Sequence, residues 1–359
     1  MKKKSKKFLI QNSTRKIPVV ILISILIMTL LSGCKNNTDQ IATDSSDLGY
    51  ITASDFLLNT IITINLYDKQ DQDILNGCFD LIKKYEAIYS RTSETSELYA
   101  LNNRTSPKKG NAYQISDELS DILTKGLYYC KLSGGAFDIS IEPASSLWDF
   151  ISETPVLPKD ADIKAVLPYI NYKLIHLEGN SITFDKDGVG IDLGAIAKGY
   201  IADRIKDYLL SKGVKSAMIN LGGNVLCVGT KPDGSPFHVG IQKPFADRND
   251  TVAVMDINDL SIVSSGVYER SFEVDGKLYH HILDPKTGYP YDNGLIAVTI
   301  ISKLSTDGDG LSTTCFALGL DKGLALIESL PDTYAVFITS DYKLHYSKGF
   351  KEAIPTKEQ

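Results

Sequence analysis

The chain has 359 residues, with 38 basic and 44 acidic side chains and a formal net charge of −6. Seven of the bases and none of the acids lie in Met1–Gly33, so a chain cleaved there keeps 326 residues and a charge of −13. That acidity excludes a non-specific nucleic-acid binder, and the length allows one large domain or two.

The seven leader bases precede an apolar run, Ile17–Leu31, broken only by Pro18, Ser24 and Thr29. The run suits a signal-peptide core and falls short of the roughly 20 residues of a membrane-spanning helix. It ends in Leu31-Ser32-Gly33-Cys34, the pattern of a bacterial lipoprotein signal. Cleavage before Cys34 and its acylation would tether the protein to the outer leaflet of the cell membrane. An uncleaved anchor helix is the alternative, and both readings place the rest outside the cytoplasm. Residues 34–49 read as a flexible polar tether, with one folded domain expected over 50–350. Cys78, Cys130, Cys227 and Cys315 form no CxxC pair and have no nearby His at zinc spacing, so they read as buried apolar residues.

Thr60–Tyr67 is rich in β-branched residues and predicts a strand. Asp71–Tyr89 carries apolar residues at helical spacing, and a short helix follows from Ser96 to Asn102. Ser116–Leu132 predicts a helix capped by Ser116 and closed by Gly134. Strands are expected at Ser181–Phe184 and Val189–Ile191 about an Asp187-Gly188 turn. A helix is expected over Ala195–Leu210 and a strand over Ser216–Leu221, broken by Gly222-Gly223. Val225–Val228 and Phe237–Gln242 flank a Pro-Asp-Gly turn, and Tyr268–Val274 and Lys277–Leu283 flank Asp275-Gly276. Leu295–Ile301 is a strand, Asp309–Leu318 and Lys322–Leu330 are helices, and Tyr334–Thr339 is a closing strand. The Trp148 region, with Pro155, Pro158 and Pro168, reads as a connector holding one short helix. Hairpins among scattered helices give an α+β class.

Four segments carry chemistry. In Asp192-Leu193-Gly194-Ala195-Ile196-Ala197-Lys198-Gly199-Tyr200, an Asp and small residues open a helix bearing a Lys. Free N–H groups there suit phosphate oxygens; an ordinary strand–turn–helix with an Asp cap is the alternative. In Asp307-Gly308-Asp309-Gly310-Leu311-Ser312-Thr313, Asp309 and Thr313 share one helix face. That is hard-oxygen ligation suited to Mg²⁺, unless the Asp merely caps the helix. Tyr279–Pro290 runs a strand into a turn and holds two of the five histidines, His280 and His281. Alternation lets only one of them face a given site, where a neutral His could take a proton from a hydroxyl. In Gly134-Gly135-Ala136-Phe137-Asp138, Phe137 reads as core, or as packing on a planar ring.

Together these segments resemble the ApbE family of FAD:protein FMN transferases. The similarity runs in order from about Phe56 to Thr339 and includes Leu58-Asn59-Thr60, Ser96-Glu97-Leu98, Asn220–Asn224 and Ser264–Arg270. The resemblance implies a mixed fold of largely antiparallel sheets with helices packed on them. It implies FAD as substrate, contacted at Ala136, Phe137, Asp138, Asp192, Lys198 and Leu283. It implies Mg²⁺ at Asp309, Thr313 and the carbonyl of Ala195, with His281 as general base. The expected reaction transfers FMN to a Ser or Thr of an acceptor protein, such as a membrane redox subunit or extracellular electron-transfer protein, and releases AMP. Mg²⁺-dependent FAD hydrolysis and simple flavin binding are the competing functions. The family often has Met-Gly-Thr at 58–60, and an aromatic residue that packs on the flavin ring where this chain reads Ser90–Glu94.

Overall fold

The strand Leu295–Ser302 is buried along its whole length. Its apolar sequence therefore belongs in the middle of a sheet with both faces covered. The computed structural model describes residues 49–359, apart from residues 151, 153 and 248, and places that strand sixth in an eight-stranded sheet. The order is Ile51–Leu57, Thr60–Leu66, Ala217–Leu221, Asn224–Val228, Ser261–Gly266, Leu295–Ser302, Tyr334–Thr339 and Leu344–Tyr346, so chain order and spatial order coincide. Every neighbouring pair is antiparallel. Three smaller sheets, of four, three and two strands, are antiparallel as well. The fold is α+β.

Helix Ser305–Leu318 packs on the strands Ser261–Gly266 and Leu295–Ser302. Helix Ala197–Ser211 packs across it and also meets helix Gln72–Tyr89. Gly199 makes this crossing close: a Cβ there would lie 2.1 Å from the Ser305 carbonyl oxygen. The expected Ser116 cap is present, and Asp71 and Ser96 cap their helices as well. Asp71 accepts from Asp73 and Ile74 N–H, Ser96 from Tyr99 N–H, and Ser116 from Leu119 N–H.

Several expectations move. Val189–Ile191 is not a hairpin strand. The hairpin partner of Ser181–Phe184 is Ile175–Glu178, across a turn at Gly179 with φ +54°. The 189–191 backbone is instead clamped by side chains: Asn102 exchanges two hydrogen bonds with Ile191, at 2.8 and 2.9 Å, and Arg104 donates to the Val189 carbonyl. Asn224–Val228 and Phe237–Gln242 both form, yet they join different sheets; Phe237–Gln242 pairs with Thr251–Ile257. Tyr334–Thr339 is not the last strand of the sheet, because Leu344–Tyr346 pairs outside it. Thr356–Glu358 pairs with Ala253–Met255, which carries the folded domain past the expected boundary at 350. The four cysteines from Cys78 onward are free and buried; Cys34 lies outside the described residues.

Candidate active site

Asp309 is the fifth residue of helix Ser305–Leu318, which begins four residues earlier than expected. It is therefore no helix cap. Its carboxylate faces helix Ala197–Ser211: Oδ2 accepts from Gly199 N–H at 2.6 Å, and Oδ1 from Asn224 Nδ2 at 3.0 Å. The Asn224 amide has a fixed direction, since Ser305 Oγ donates to its oxygen and Ser261 Oγ donates to Ser305. Burial raises the Asp309 pKa, while Lys198, the Gly199 N–H and Asn224 oppose the rise. The Gly199 N–H spent on Asp309 is the one that a helix extended backward would send to the Ala195 carbonyl.

His281 lies at the end of the hairpin Ser271–Val274/Lys277–His280 and is half-buried. Its Nδ1 is 3.3 Å from the Arg270 carbonyl, which can only accept, so Nδ1 carries the proton and Nε2 keeps its lone pair. Burial lowers its pKa, as do the charges of Arg270 and Lys198 and its neighbour His280. Lys198 thus reaches both Asp309 and His281 electrostatically. His280 points the other way. It is buried, with Nε2 2.9 Å from the Tyr291 carbonyl and Nδ1 accepting from Ile282 N–H. His280 thus has both ring nitrogens engaged.

Thr313 is half-exposed, one turn beyond Asp309, with its hydroxyl 3.2 Å from Ser265 Oγ. Asp192 does not cap helix Ala197–Ser211. Its Oδ1 accepts from Gly194 N–H, and its Oδ2 accepts from Ser145 Oγ at 2.8 Å and pairs with Arg91 Nε at 3.0 Å. The helix accordingly starts at Ala197, two residues late. Phe137 is buried against Tyr129, at 6.0 Å between ring centroids, in the main core. Ala136 offers its carbonyl to Tyr291 OH. Asp138 is buried and holds Ser140 and the Tyr172 N–H; burial raises its pKa against those bonds. Leu283 packs beside Ala144 and Trp148 in a second apolar cluster. Tyr89 is core as well: it is 5% exposed, stacks on Tyr85 and donates to the Glu118 carbonyl, so it has no free face for a flavin.

Asp309 and His281, far apart in the chain, thus both lie within electrostatic reach of Lys198, and Thr313 follows Asp309 by one helical turn. A family model described as the ApbE family matches residues 58–338. The chain belongs to the ApbE family. Its ApbE relatives include a Klebsiella pneumoniae FAD:protein FMN transferase, 37% identical over 82% of this chain and 91% of that one. A Treponema pallidum protein of the same name is 31% identical over 84% and 88%. The solved flavin transferase ApbE of Vibrio cholerae matches with a TM-score of 0.74 at 26% identity, covering 84% of this chain and 98% of its own. The Thermotoga maritima ApbE protein gives 0.76 at 29%, with the same coverage.

Sequence reasoning gave no role to Gly199, Asn224, Ser265 or Asp203. Asn224 and Ser265 lie inside segments that carried the ApbE resemblance, but nothing local marks what they touch. Two departures from the family pattern have structural counterparts. Asn59 has φ +57°, a left-handed position that Gly occupies most easily and Asn next. The second is Gly310, where the family often has Ala: a Cβ there would lie 2.4 Å from the Tyr129 ring, so the absent methyl goes with the placement of that ring.

Proposed function

We propose that this chain catalyses FAD:protein FMN transfer, moving FMN from FAD to a Ser or Thr hydroxyl of an acceptor protein. The observation that carries the reading is a lysine, Lys198, acting electrostatically on both the buried Asp309 and His281 in a chain of this family. The acceptor oxygen bonds to the FMN phosphorus, the phosphoanhydride bond to AMP breaks, and the acceptor proton passes to a base. His281 Nε2 is suited to that proton, because Nδ1 is already committed to Arg270. Lys198 adds a positive charge where phosphate oxygens gather.

The residues fit a hard divalent cation. They offer one carboxylate, one hydroxyl and the carbonyl of Ala195, all oxygen donors. Among the described residues no cluster of three or more His, Cys, Asp or Glu could hold a metal by itself. Magnesium is commonly held by one or two carboxylates together with substrate phosphates. Mg²⁺ held by those residues would supply positive charge for the phosphoryl oxygens. Incubating residues 36–359 with FAD, Mg²⁺ and a candidate acceptor domain should add the mass of FMN less water to the acceptor, and EDTA should prevent it. Free FMN and AMP, with acceptors of several related redox proteins all unmodified, would replace transfer by FAD hydrolysis.

Two further results are expected. His281→Ala lowers transfer about 10²-fold, the usual worth of a positioned base. Because its pKa is lowered, His281 stays neutral as pH falls through 6.5, so the acid limb of kcat/KM lies below that value. An acid limb at or above 6.5 that vanishes in His281→Ala would contradict this environment. The leader and Cys34 support export and lipid attachment at the outer leaflet. Cys34→Ala should abolish palmitate labelling and leave the leader uncleaved; undiminished labelling would refute acylation at Cys34.

A further inference from the structure

Three hydroxyls beside Asp309 form a chain whose direction can be deduced. Ser312 Oγ lies 3.0 Å from the Asp309 carbonyl, an atom that only accepts, so the Ser312 proton is committed there. Ser265 Oγ is 2.8 Å from Ser312 Oγ. With Ser312 already donating elsewhere, Ser265 must be the donor in that contact. Ser265 therefore has no proton for Thr313, whose Oγ1 is 3.2 Å away, and Thr313 must donate to Ser265. The Thr313 proton is turned toward the strand Ser261–Gly266, and its lone pairs are left for another partner.

We infer that Ser265 is a positioning residue, which holds the Thr313 hydroxyl as a pure acceptor toward the cation shared with Asp309. The inference rests on the metal reading above. Without Ser265, a helical threonine ordinarily turns its hydroxyl onto the carbonyl four residues back, which here is Asp309, or aims its proton at the cation. Either outcome weakens ligation by a neutral oxygen. Ser265 does this from outside the helix that bears both side-chain donors. Its own strand is tied to the neighbouring one by Ser264 Oγ and Thr299 Oγ1 at 2.8 Å, so the anchor is stiff.

The test is Mn²⁺ binding to the folded soluble protein in the presence of FAD and without acceptor, with free Mn²⁺ read from its electron paramagnetic resonance signal. Ser265→Ala should weaken Mn²⁺ binding by about 10-fold, at the lower end of the effects of residues that orient metal ligands. Ser265→Thr, which keeps the hydroxyl, should restore most of it. In a Thr313→Val background, Ser265→Ala should have no further effect, because the group it orients is gone. Wild-type affinity in Ser265→Ala, or an equal loss in the Thr313→Val background, would overturn the inference. Asp309→Asn separates the two readings. If it binds Mn²⁺ as tightly as wild type, the cation site itself is wrong; if it alone loses binding, the site stands and the role of Ser265 falls.

Discussion

Asp309→Asn is expected to reduce FMN transfer by about 10²–10³-fold, the cost of removing one preorganised electrostatic partner of a reacting group. The substitution keeps the shape and removes the charge. It also brings a donor against a donor, since Gly199 N–H approaches one oxygen and the Asn224 amide the other. The Asn224 amide cannot turn to help, because Ser305 Oγ holds its oxygen at 2.7 Å. A stability loss of about 1–2 kcal/mol should accompany the change, small enough for the protein to stay folded and bind FAD. Acceptor mass and FAD fluorescence, measured together, separate the two effects. Undiminished transfer by the variant would remove Asp309 from the chemistry. Lost flavin binding and a collapsed melting transition would show that Asp309 serves the fold first.

Much of the secondary structure was legible because its signals are local. Asp71, Ser96 and Ser116 each cap their own helix, and Asp275-Gly276 turns a hairpin with both residues at positive φ. What could not be read depends on partners far along the chain. The first hairpin of the sheet turns at Leu58-Asn59, both left-handed, with φ +53° and +57°. Leu is an unusual residue there, and the Leu58 N–H is held by Glu86 Oε1, 28 residues away. The strand Ile51–Leu57 therefore went unseen. Asp192 looked like a helix cap, but Arg91 and Ser145 claim its carboxylate. The candidate site residues are legible only through the family pattern. Their physical reading from the residues alone left cap against ligand undecided at Asp309, since only tertiary structure shows that the helix begins at Ser305.

That beginning is set from another helix, and the largest stability effect should follow from it. Leu304, the N-cap of helix Ser305–Leu318, has no capping side chain. Asp203, on helix Ala197–Ser211, does the work instead. Its carboxylate accepts from Ser305 N–H at 2.8 Å, Thr306 N–H at 2.9 Å and Thr306 Oγ1 at 2.5 Å, and the residue is 5% exposed. Gly199 lies one turn before Asp203, on the same face, and touches the same Ser305 backbone. One contact thus starts the helix, sets its distance from its neighbour and brings Asp309 opposite the Gly199 N–H. Asp203→Ala strands two buried N–H groups and a hydroxyl, and should cost about 3 kcal/mol or more. A lower urea midpoint at unchanged slope would report it. Transfer should fall too, even well below the unfolding transition, because Asp309 loses its registration. If the loss is under about 1 kcal/mol, the worth of an ordinary exposed cap, the crossing is held by packing at Gly199, and Asp203 is only an accessory to it.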